Sequence, residues 1–210
     1  MFNRKLTSAA AILLFLLPAC SLPRVVVLHD PLSAEEHLRL AGIYDAQEKP
    51  ELAREQYEAA VNSDPRHARA WSLLGDFSFR TRDYKTAQKA YEKAISLEPA
   101  KGDLYNNLAW VHLQSPEQAE KARELAGKAL SLTPDHRPYY LDTLGVALLK
   151  LGKTAEAITA IRESIATLPA NKPELAAEAY EHLAEACRAV HDAPCTTDAE
   201  NRAQELHNLR

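Results

Sequence analysis

The sequence predicts an all-helical solenoid, in which pairs of short antiparallel helices stack one behind the other. A set of four residues, with alanine at its first and third positions and proline at its last, recurs with offsets of 34 and then 35 positions. Its copies are Ala53, Tyr57, Ala60 and Pro65, then Ala87, Tyr91, Ala94 and Pro99, then Ala122, Ala126, Ala129 and Pro134. Apolar residues recur at spacings of three and four, and only 6 glycines are present, which favours helix over sheet. Self-similarity at this period indicates stacked helical hairpins.

The upstream half of each unit predicts a first helix that packs against the second. Trp71, Leu74 and Gly75 recur as Tyr105, Leu108 and Ala109, and a fourth unit continues with Leu141, Leu144, Gly145, Ala157, Ile161, Ser164 and Pro169. Small residues let the two helix axes approach, and the final proline stops the second helix. In order, the predicted helices cover residues 34–47, 50–63, 68–81, 84–97, 102–114, 117–131, 138–151 and 154–167. Ser33 is the predicted cap of the first helix.

The C-terminal part predicts two further helices, over residues 173–190 and 196–209. Tyr180, Leu183 and Ala184 keep the register of a first helix, and the last helix is more polar. A terminal unit of a solenoid has no further neighbour, so it requires a polar outer surface. We therefore expect this pair to act as a degenerate fifth unit that caps the stack.

The pattern of these units resembles the tetratricopeptide repeat over residues 34–171. The resemblance implies a right-handed α-solenoid of helical hairpins, with four repeats at 34–67, 68–101, 102–137 and 138–171 and a degenerate repeat at 172–210. In such solenoids the first helices line a concave groove, and residues two, five, nine and twelve places into each unit face it. The partner-binding residues that this implies are Arg69, Asp76, Phe79, Asn106, Trp110, Leu113, Tyr139, Asp142, Val146 and Leu149.

Trp110 is the most informative of these positions, because the tryptophan of the repeat pattern corresponds to Trp71. A rigid aromatic residue with a polar rim is typical of a protein-binding anchor. The alternative is that Trp110 packs sideways on a neighbouring helix. Leu38 and Gly42 stand where relatives that bind a chaperone's acidic C-terminus need lysine and asparagine, so the sequence does not support that specificity.

The N-terminus indicates export from the cytoplasm. Arg4 and Lys5 precede an apolar run, 9–17, that is too short to span a bilayer and is typical of a signal peptide. The run ends in a Leu-Pro-Ala-Cys sequence that resembles the bacterial lipoprotein signal. This implies removal of residues 1–19, palmitate-type lipidation of Cys20, and a tether over residues 20–33. Ser21 implies an outer-membrane lipoprotein facing the periplasm, with ordinary secretion or an uncleaved anchor as alternatives.

Charge and composition exclude several function classes. The formal net charge of −4 becomes −6 when residues 1–19 are removed, because they carry two basic residues and no acidic one. An acidic body is a poor partner for nucleic acid. We find no catalytic motif, phosphate-binding loop or zinc-ligand spacing, so we expect no enzyme activity, cofactor or metal. Cys187 and Cys195 predict a disulfide outside the cytoplasm, the alternative being a buried core thiol and an exposed loop thiol.

These observations predict a non-catalytic scaffold that binds a partner peptide or helix during assembly of the cell envelope. Known lipoproteins of this build support pilus or secretin assembly, outer-membrane protein insertion or recruitment of cell-wall hydrolases. Two other hypotheses remain open: an accessory or cryptic hydrolase of cell-wall material, and an unanchored, chaperone-like protein of the periplasm.

Overall fold

The computed structural model describes residues 30–208, and all regular structure in that range is helical. The compact unit that begins at Leu32 holds ten α-helices. They are α1 Ala34–Ala46, α2 Pro50–Ser63, α3 Ala68–Arg80, α4 Tyr84–Leu97, α5 Gly102–His112, α6 Ala119–Leu132, α7 Arg137–Lys150, α8 Thr154–Thr167, α9 Pro173–Ala189 and α10 Ala193–His207. Each odd-numbered helix packs against the even-numbered helix that follows it, and successive pairs stack. The prediction of an all-helical solenoid is confirmed.

Four of the five helix pairs close through the same turn. The residue after each first helix's C-cap has positive φ, at Glu48, Arg82, Gly152 and His191. The next backbone N–H then reaches back to the last turn of the helix, as when Asp83 N donates to Ser78 O at 2.8 Å. This left-handed geometry satisfies carbonyl groups that a helix end leaves free. Only the fourth pair uses glycine there, although glycine adopts such a φ at lowest cost.

The third pair departs from this turn because it carries one extra residue, which is why its repeat offset is 35 positions and not 34. Its connection runs through a 3-10 turn, Pro116–Gln118, so α6 begins at Ala119 and not at the predicted residue 117. The buried His112 ring is held by a hydrogen bond between its Nδ1 and the side chain of Gln118. The extra residue is therefore absorbed in the connection, and the packing of α5 on α6 is kept.

Small residues bring the helix axes together, as the repeat pattern predicts. A Cβ atom built on Gly75 would lie 2.6 Å from the Tyr91 ring, and one built on Gly145 would overlap Ile161. Tyr57 and Phe77 pack with ring centroids 5.2 Å apart, and Arg54 lies over the Phe77 ring. A glycine thus packs against a large apolar residue of the following helix, Tyr91 or Ile161, at the same place in two units.

Both ends of the stack are fixed by local contacts. Ser33 caps α1 as predicted, in a capping box in which Glu36 Oε2 accepts from Ser33 N at 2.8 Å. At the other end Asp192 caps α10, so this helix begins at Ala193, earlier than the predicted residue 196. The structure joins Cys187 of α9 to Cys195 of α10 in a disulfide, with a Cα–Cα distance of 5.8 Å.

Within residues 30–208, no helix has the length and apolar character to cross a membrane.

Candidate partner-binding groove

The first helices of successive units together line a groove that contains three adjoining cavities. The largest, about 460 Å³, is the acidic cavity. It is lined by Ser72, Asp76, Lys101, Asp103, Asn106, Asn107, Tyr139, Asp142, Ser164, Leu168, Leu175, Glu178 and Ala179. Because α3, α5, α7 and α9 all contribute to it, this cavity exists only when the units are stacked.

The second cavity, about 420 Å³, is the aromatic cavity. Its lining is Asp45, Tyr57, Leu73, Asp76, Phe77, Phe79, Arg80, Tyr91, Asn107 and Trp110. It shares Asp76 and Asn107 with the acidic cavity, so the two open into one another. Aromatic rings placed beside charged side chains form the kind of surface on which a partner's apolar residue is anchored.

Trp110 also borders a third, smaller cavity of about 230 Å³, lined by residues of α5, α7 and α9. Leu113 and Val146 form the floor of this cavity, since both are buried in the core. Leu149 and Trp110 are only partly buried and form its wall. The sequence left two alternatives for Trp110, packing on a neighbouring helix or facing the groove. In the structure its side chain packs on the core and also exposes part of the ring to the groove.

Polar contacts link each first helix to the first helix of the preceding unit. Arg69 pairs with Glu35 at 2.7 Å, and Arg80 pairs with Asp45 at 2.6 Å. Asn107 Nδ2 donates to Asp76 at 3.2 Å. Two of the residues in these contacts, Arg69 and Asp76, are positions that the repeat register assigned to the partner. Arg69 in particular lines none of these three cavities, so its contact with Glu35 is the role that the structure gives it.

Asp76 lies at the junction of the acidic and aromatic cavities. It accepts hydrogen bonds from Tyr91 Oη at 2.7 Å and from the Asn107 amide, both of which are neutral donors. Burial raises the pKa of Asp76, and these hydrogen bonds only partly offset that effect. The same burial, together with the Asp76 charge, raises the pKa of the Tyr91 hydroxyl, so Tyr91 stays a donor.

Asp142 and His182 form the polar link between α7 and α9. The His182 Nδ1 atom lies 2.9 Å from Asp142 Oδ2. Burial works to lower the pKa of His182, but the hydrogen bond to Asp142 and the charges of Asp142, Glu185 and Glu178 outweigh it, and the pKa is raised. The His182 ring also packs beside Trp110, with centroids 5.9 Å apart. This pair therefore places the imidazole ring of His182 against the indole of Trp110.

Two buried polar atoms of the acidic cavity have no hydrogen-bond partner among the described residues. They are Oδ1 of Asn106, whose side chain is 8% exposed, and Oγ of the fully buried Ser164. Both residues line the cavity. A buried polar atom without a partner costs free energy.

The structure brings most of the predicted groove residues together and adds a set that the sequence interpretation missed. Those that extend the groove beyond the fourth unit's first helix lie on α8 and α9, and the most important are Ser164, Glu178, His182 and Glu185. The repeat register could have identified the α9 residues. Tyr180 holds the position in the last unit that Leu141 holds in the fourth, so Glu178 corresponds to the predicted groove residue Tyr139. The orphaned Ser164 has no such signal, because the repeat reserves its position for packing.

No group of three or more His, Cys, Asp or Glu residues able to hold a metal occurs within residues 30–208. His136 bonds to Asp103, and His182 bonds to Asp142. The His182 contact thus links two neighbouring units, whereas the His136 contact lies within the third unit. The predicted lipidation site Cys20 lies outside the described residues.

Comparison with known proteins adds family matches along the chain. The family model of the tetratricopeptide repeat domain of cytochrome c-type biogenesis protein H matches residues 58–175, more than half of the chain. A general tetratricopeptide repeat model matches residues 37–67.

One curated relative is the type IV pilus assembly protein PilF of Pseudomonas aeruginosa. It is 34% identical over 105 residues, which is 49% of this chain and 41% of that protein. The chain thus spans less than half the length of this relative.

Solved structures show the same fold at low sequence identity. PilW, described as a widely conserved type IV pilus biogenesis factor, superposes with a TM-score of 0.73 and 19% identity, covering 83% of this chain and 78% of that chain. YrrB, described as a tetratricopeptide repeat protein with an unusual peptide-binding site, has a TM-score of 0.59 and 20% identity, covering 82% and 86%.

Proposed function

The chain belongs to the tetratricopeptide repeat family, and from that premise we propose that it is a non-catalytic adaptor that binds a partner protein in its concave groove. The single observation that carries this proposal is the position of Trp110. Its ring is partly exposed where the aromatic cavity meets the third cavity. The repeat does not need a tryptophan there for packing, since Trp71 holds the repeat's tryptophan position.

The groove suits an extended segment or a short helix. The acidic and aromatic cavities adjoin through Asp76 and Asn107, and Trp110 connects them to the third cavity. A continuous concave surface made by stacked repeats is the surface that solenoid proteins use for binding. Apolar anchoring at Phe79 and Trp110, with a polar rim, matches the usual anatomy of a protein interface.

The proposed setting is assembly of the bacterial cell envelope. Its support is the resemblance of the sequence around Cys20 to a lipoprotein signal and the similarity to PilF, a type IV pilus assembly protein. In this proposal residues 1–19 are removed, Cys20 carries the lipid, and residues 20–33 tether the solenoid to the outer membrane. Residues 34–171 form four repeats, and residues 172–210 form a degenerate fifth repeat that caps the stack.

Site-specific photo-crosslinking in the native host tests the adaptor proposal. A benzophenone amino acid replaces Trp110 in one strain and Glu58, an exposed residue of α2 outside the three cavities, in a matched control strain. We expect a defined adduct with one partner from position 110 and none from position 58. Absence of an adduct at position 110, or turnover of cell-wall material by the purified protein, would contradict the proposal.

The anchor is tested separately, because the groove could function without it. Cells grown with labelled palmitate are expected to incorporate the label into the wild-type protein and not into a Cys20→Ala variant. An unlabelled wild-type protein found in the soluble periplasmic fraction would overturn the lipoprotein assignment and leave the groove proposal intact.

A further inference from the structure

We propose that the acidic cavity receives a basic side chain, arginine or lysine, of the partner that occupies the groove. This inference rests on the adaptor proposal and deepens it, because it states what chemistry the partner brings. It stands on the distribution of charge in the cavity and on buried polar atoms that have no hydrogen-bond partner among residues 30–208.

The cavity lining carries four carboxylates and one lysine: Asp76, Asp103, Asp142 and Glu178 against Lys101. Asp103 is bonded to His136 at 2.7 Å, and Asp142 is bonded to His182 at 2.9 Å. The other two carboxylates have no cationic partner within hydrogen-bonding or ion-pair distance in the described part of the chain. The negative charge of the cavity is therefore not balanced by the lining.

Of Asp76 and Glu178, Asp76 has the greater need of a counter-ion, because it is partly buried. Among the described residues it accepts hydrogen bonds only from the neutral groups of Tyr91 and Asn107. The cations that influence it, Arg80 and Lys101, are engaged elsewhere: Arg80 with Asp45 at 2.6 Å and Lys101 with Glu98 at 3.6 Å. Burial of an ionised carboxylate without a counter-ion is unfavourable. A cation delivered into the cavity would remove that cost.

The orphaned atoms provide the second, independent observation. Asn106 Oδ1 can only accept a hydrogen bond, and Ser164 Oγ can accept one as well. An ammonium group carries three N–H donors and a guanidinium five, and neither carries an acceptor. A basic side chain therefore matches both the unbalanced carboxylates and the unpartnered acceptors, whereas an acidic or purely apolar side chain matches neither.

The aromatic cavity, which adjoins the acidic cavity, adds a second requirement for the partner. Because the two cavities share Asp76 and Asn107, a segment with its basic residue in the acidic cavity has neighbouring residues beside Phe79 and Trp110. The partner is thus a segment that combines a basic residue with an apolar or aromatic one. Electrostatic complementarity of this kind selects the partner and its orientation.

Nuclear magnetic resonance tests the inference with a defined probe. N-acetyl-arginine amide is titrated into the isotope-labelled full-length protein, with N-acetyl-citrulline amide, which is nearly isosteric and uncharged, as the matched probe. We expect saturable shifts of the Asn106 side-chain amide and of the backbone amides of Asp76 and Glu178 with the arginine probe alone. Equal shifts with citrulline, or shifts spread over the outer surface, would overturn the proposal.

Variants separate a specific site from general attraction to an acidic protein. Glu178→Gln removes an exposed carboxylate that makes no hydrogen bond in the described structure, so its fold is expected to be retained, and Glu58→Gln is the charge-matched control on α2. The arginine probe is expected to bind Glu178→Gln about fivefold more weakly, and Asp76→Asn about tenfold more weakly, with Glu58→Gln unchanged. An unchanged affinity for both cavity variants would contradict the proposal.

The same variants distinguish this inference from the adaptor proposal. If photo-crosslinking from position 110 captures a partner equally well in wild-type, Asp76→Asn and Glu178→Gln backgrounds, the adaptor stands and the basic-residue inference fails. If position 110 captures no partner in any background, the adaptor proposal itself fails.

Discussion

Trp71 and Trp110 occupy the first helices of neighbouring units, yet they belong to different regions of the molecule. Trp71 lies where the units pack, and its indole N–H donates to Pro65 O at 3.0 Å. The next unit repeats this contact with different chemistry, since Tyr105 Oη donates to Pro99 O at 3.0 Å. Trp110 has no counterpart in the other units and borders two cavities. The packing region thus repeats along the chain, whereas the concave region varies.

This difference separates positions that maintain the fold from positions that can recognise a partner. A contact that recurs at the repeat offset is required by the stacking of identical units. A residue that breaks the repeat and remains partly exposed is free to vary with the partner. The following substitutions test that division, from the largest expected effect on stability to the smallest.

Gly145→Ala should give the largest loss of stability, because it affects the closest contact in the packing region. An added Cβ would overlap Ile161, and we expect the free energy of unfolding to fall by about 1–3 kcal/mol. Gly127→Ala in α6 is the matched control, since nothing lies within 4 Å of its added Cβ. There the higher helix propensity of alanine should stabilise the protein by up to about 1 kcal/mol. Chemical denaturation measures both, and a stable Gly145→Ala protein would refute this description of the packing.

Trp71→Phe and Trp110→Phe form a pair that compares the two regions directly. The first substitution removes the hydrogen bond to Pro65 and should lower stability by about 1 kcal/mol. The second removes no indole hydrogen bond recorded among the described residues and should lower stability less. Thermal unfolding of both variants gives the comparison. A larger loss for Trp110→Phe would mean that Trp110 is chiefly a packing residue.

The Asp142–His182 pair predicts a pH dependence located in the concave region. Because the folded-state pKa of His182 is raised above its ordinary value of 6.5, its contribution to stability is full below that value and is lost as pH rises through the folded pKa. Asp142→Asn removes the main cause of the raised pKa. The stability difference between wild type and variant should therefore be largest at acidic pH, on the order of 1 kcal/mol, and should shrink as the solution becomes alkaline.

Denaturation at a series of pH values, with the His182 resonance followed in parallel, measures this effect. A difference that grows toward alkaline pH, or a His182 pKa that stays unchanged in Asp142→Asn, would show that another group controls the link between α7 and α9.

The smallest expected effect concerns a turn away from both regions. Arg82 holds a positive φ of 61° where the fourth unit has Gly152, with φ of 73°. Arg82→Gly should relieve this conformation and change the free energy of unfolding by less than about 1 kcal/mol, with no loss of partner binding. Gly152→Ala, the reverse change, should destabilise the protein. A change of the same sign in both variants would show that the two turns are not equivalent.

The division between packing residues and concave residues also explains which features could be predicted from the sequence. The first eight helices follow from positions that recur, such as Ala53, Ala87 and Ala122, because stacking imposes the same contact on each copy. The last two helices, where the pattern weakens, were predicted as a degenerate unit, and α10 begins three residues before its predicted start. The predicted groove positions other than Arg69 line the three cavities, and this also followed from the register. Their partners did not: Arg69 pairs with Glu35 across two units, and Asn106 lies against a cavity that needs α8 and α9 to close it. Such contacts depend on neighbours that no single repeat contains.

The central claim is that recognition depends on the concave residues that break the repeat. Its most direct test is the dissociation constant of the captured partner for wild type, Trp110→Ala and Trp71→Phe. We predict that Trp110→Ala binds at least about tenfold more weakly, while Trp71→Phe binds like the wild type despite its lower stability. Wild-type affinity in a folded Trp110→Ala protein would contradict the claim, as would an equal loss in both variants.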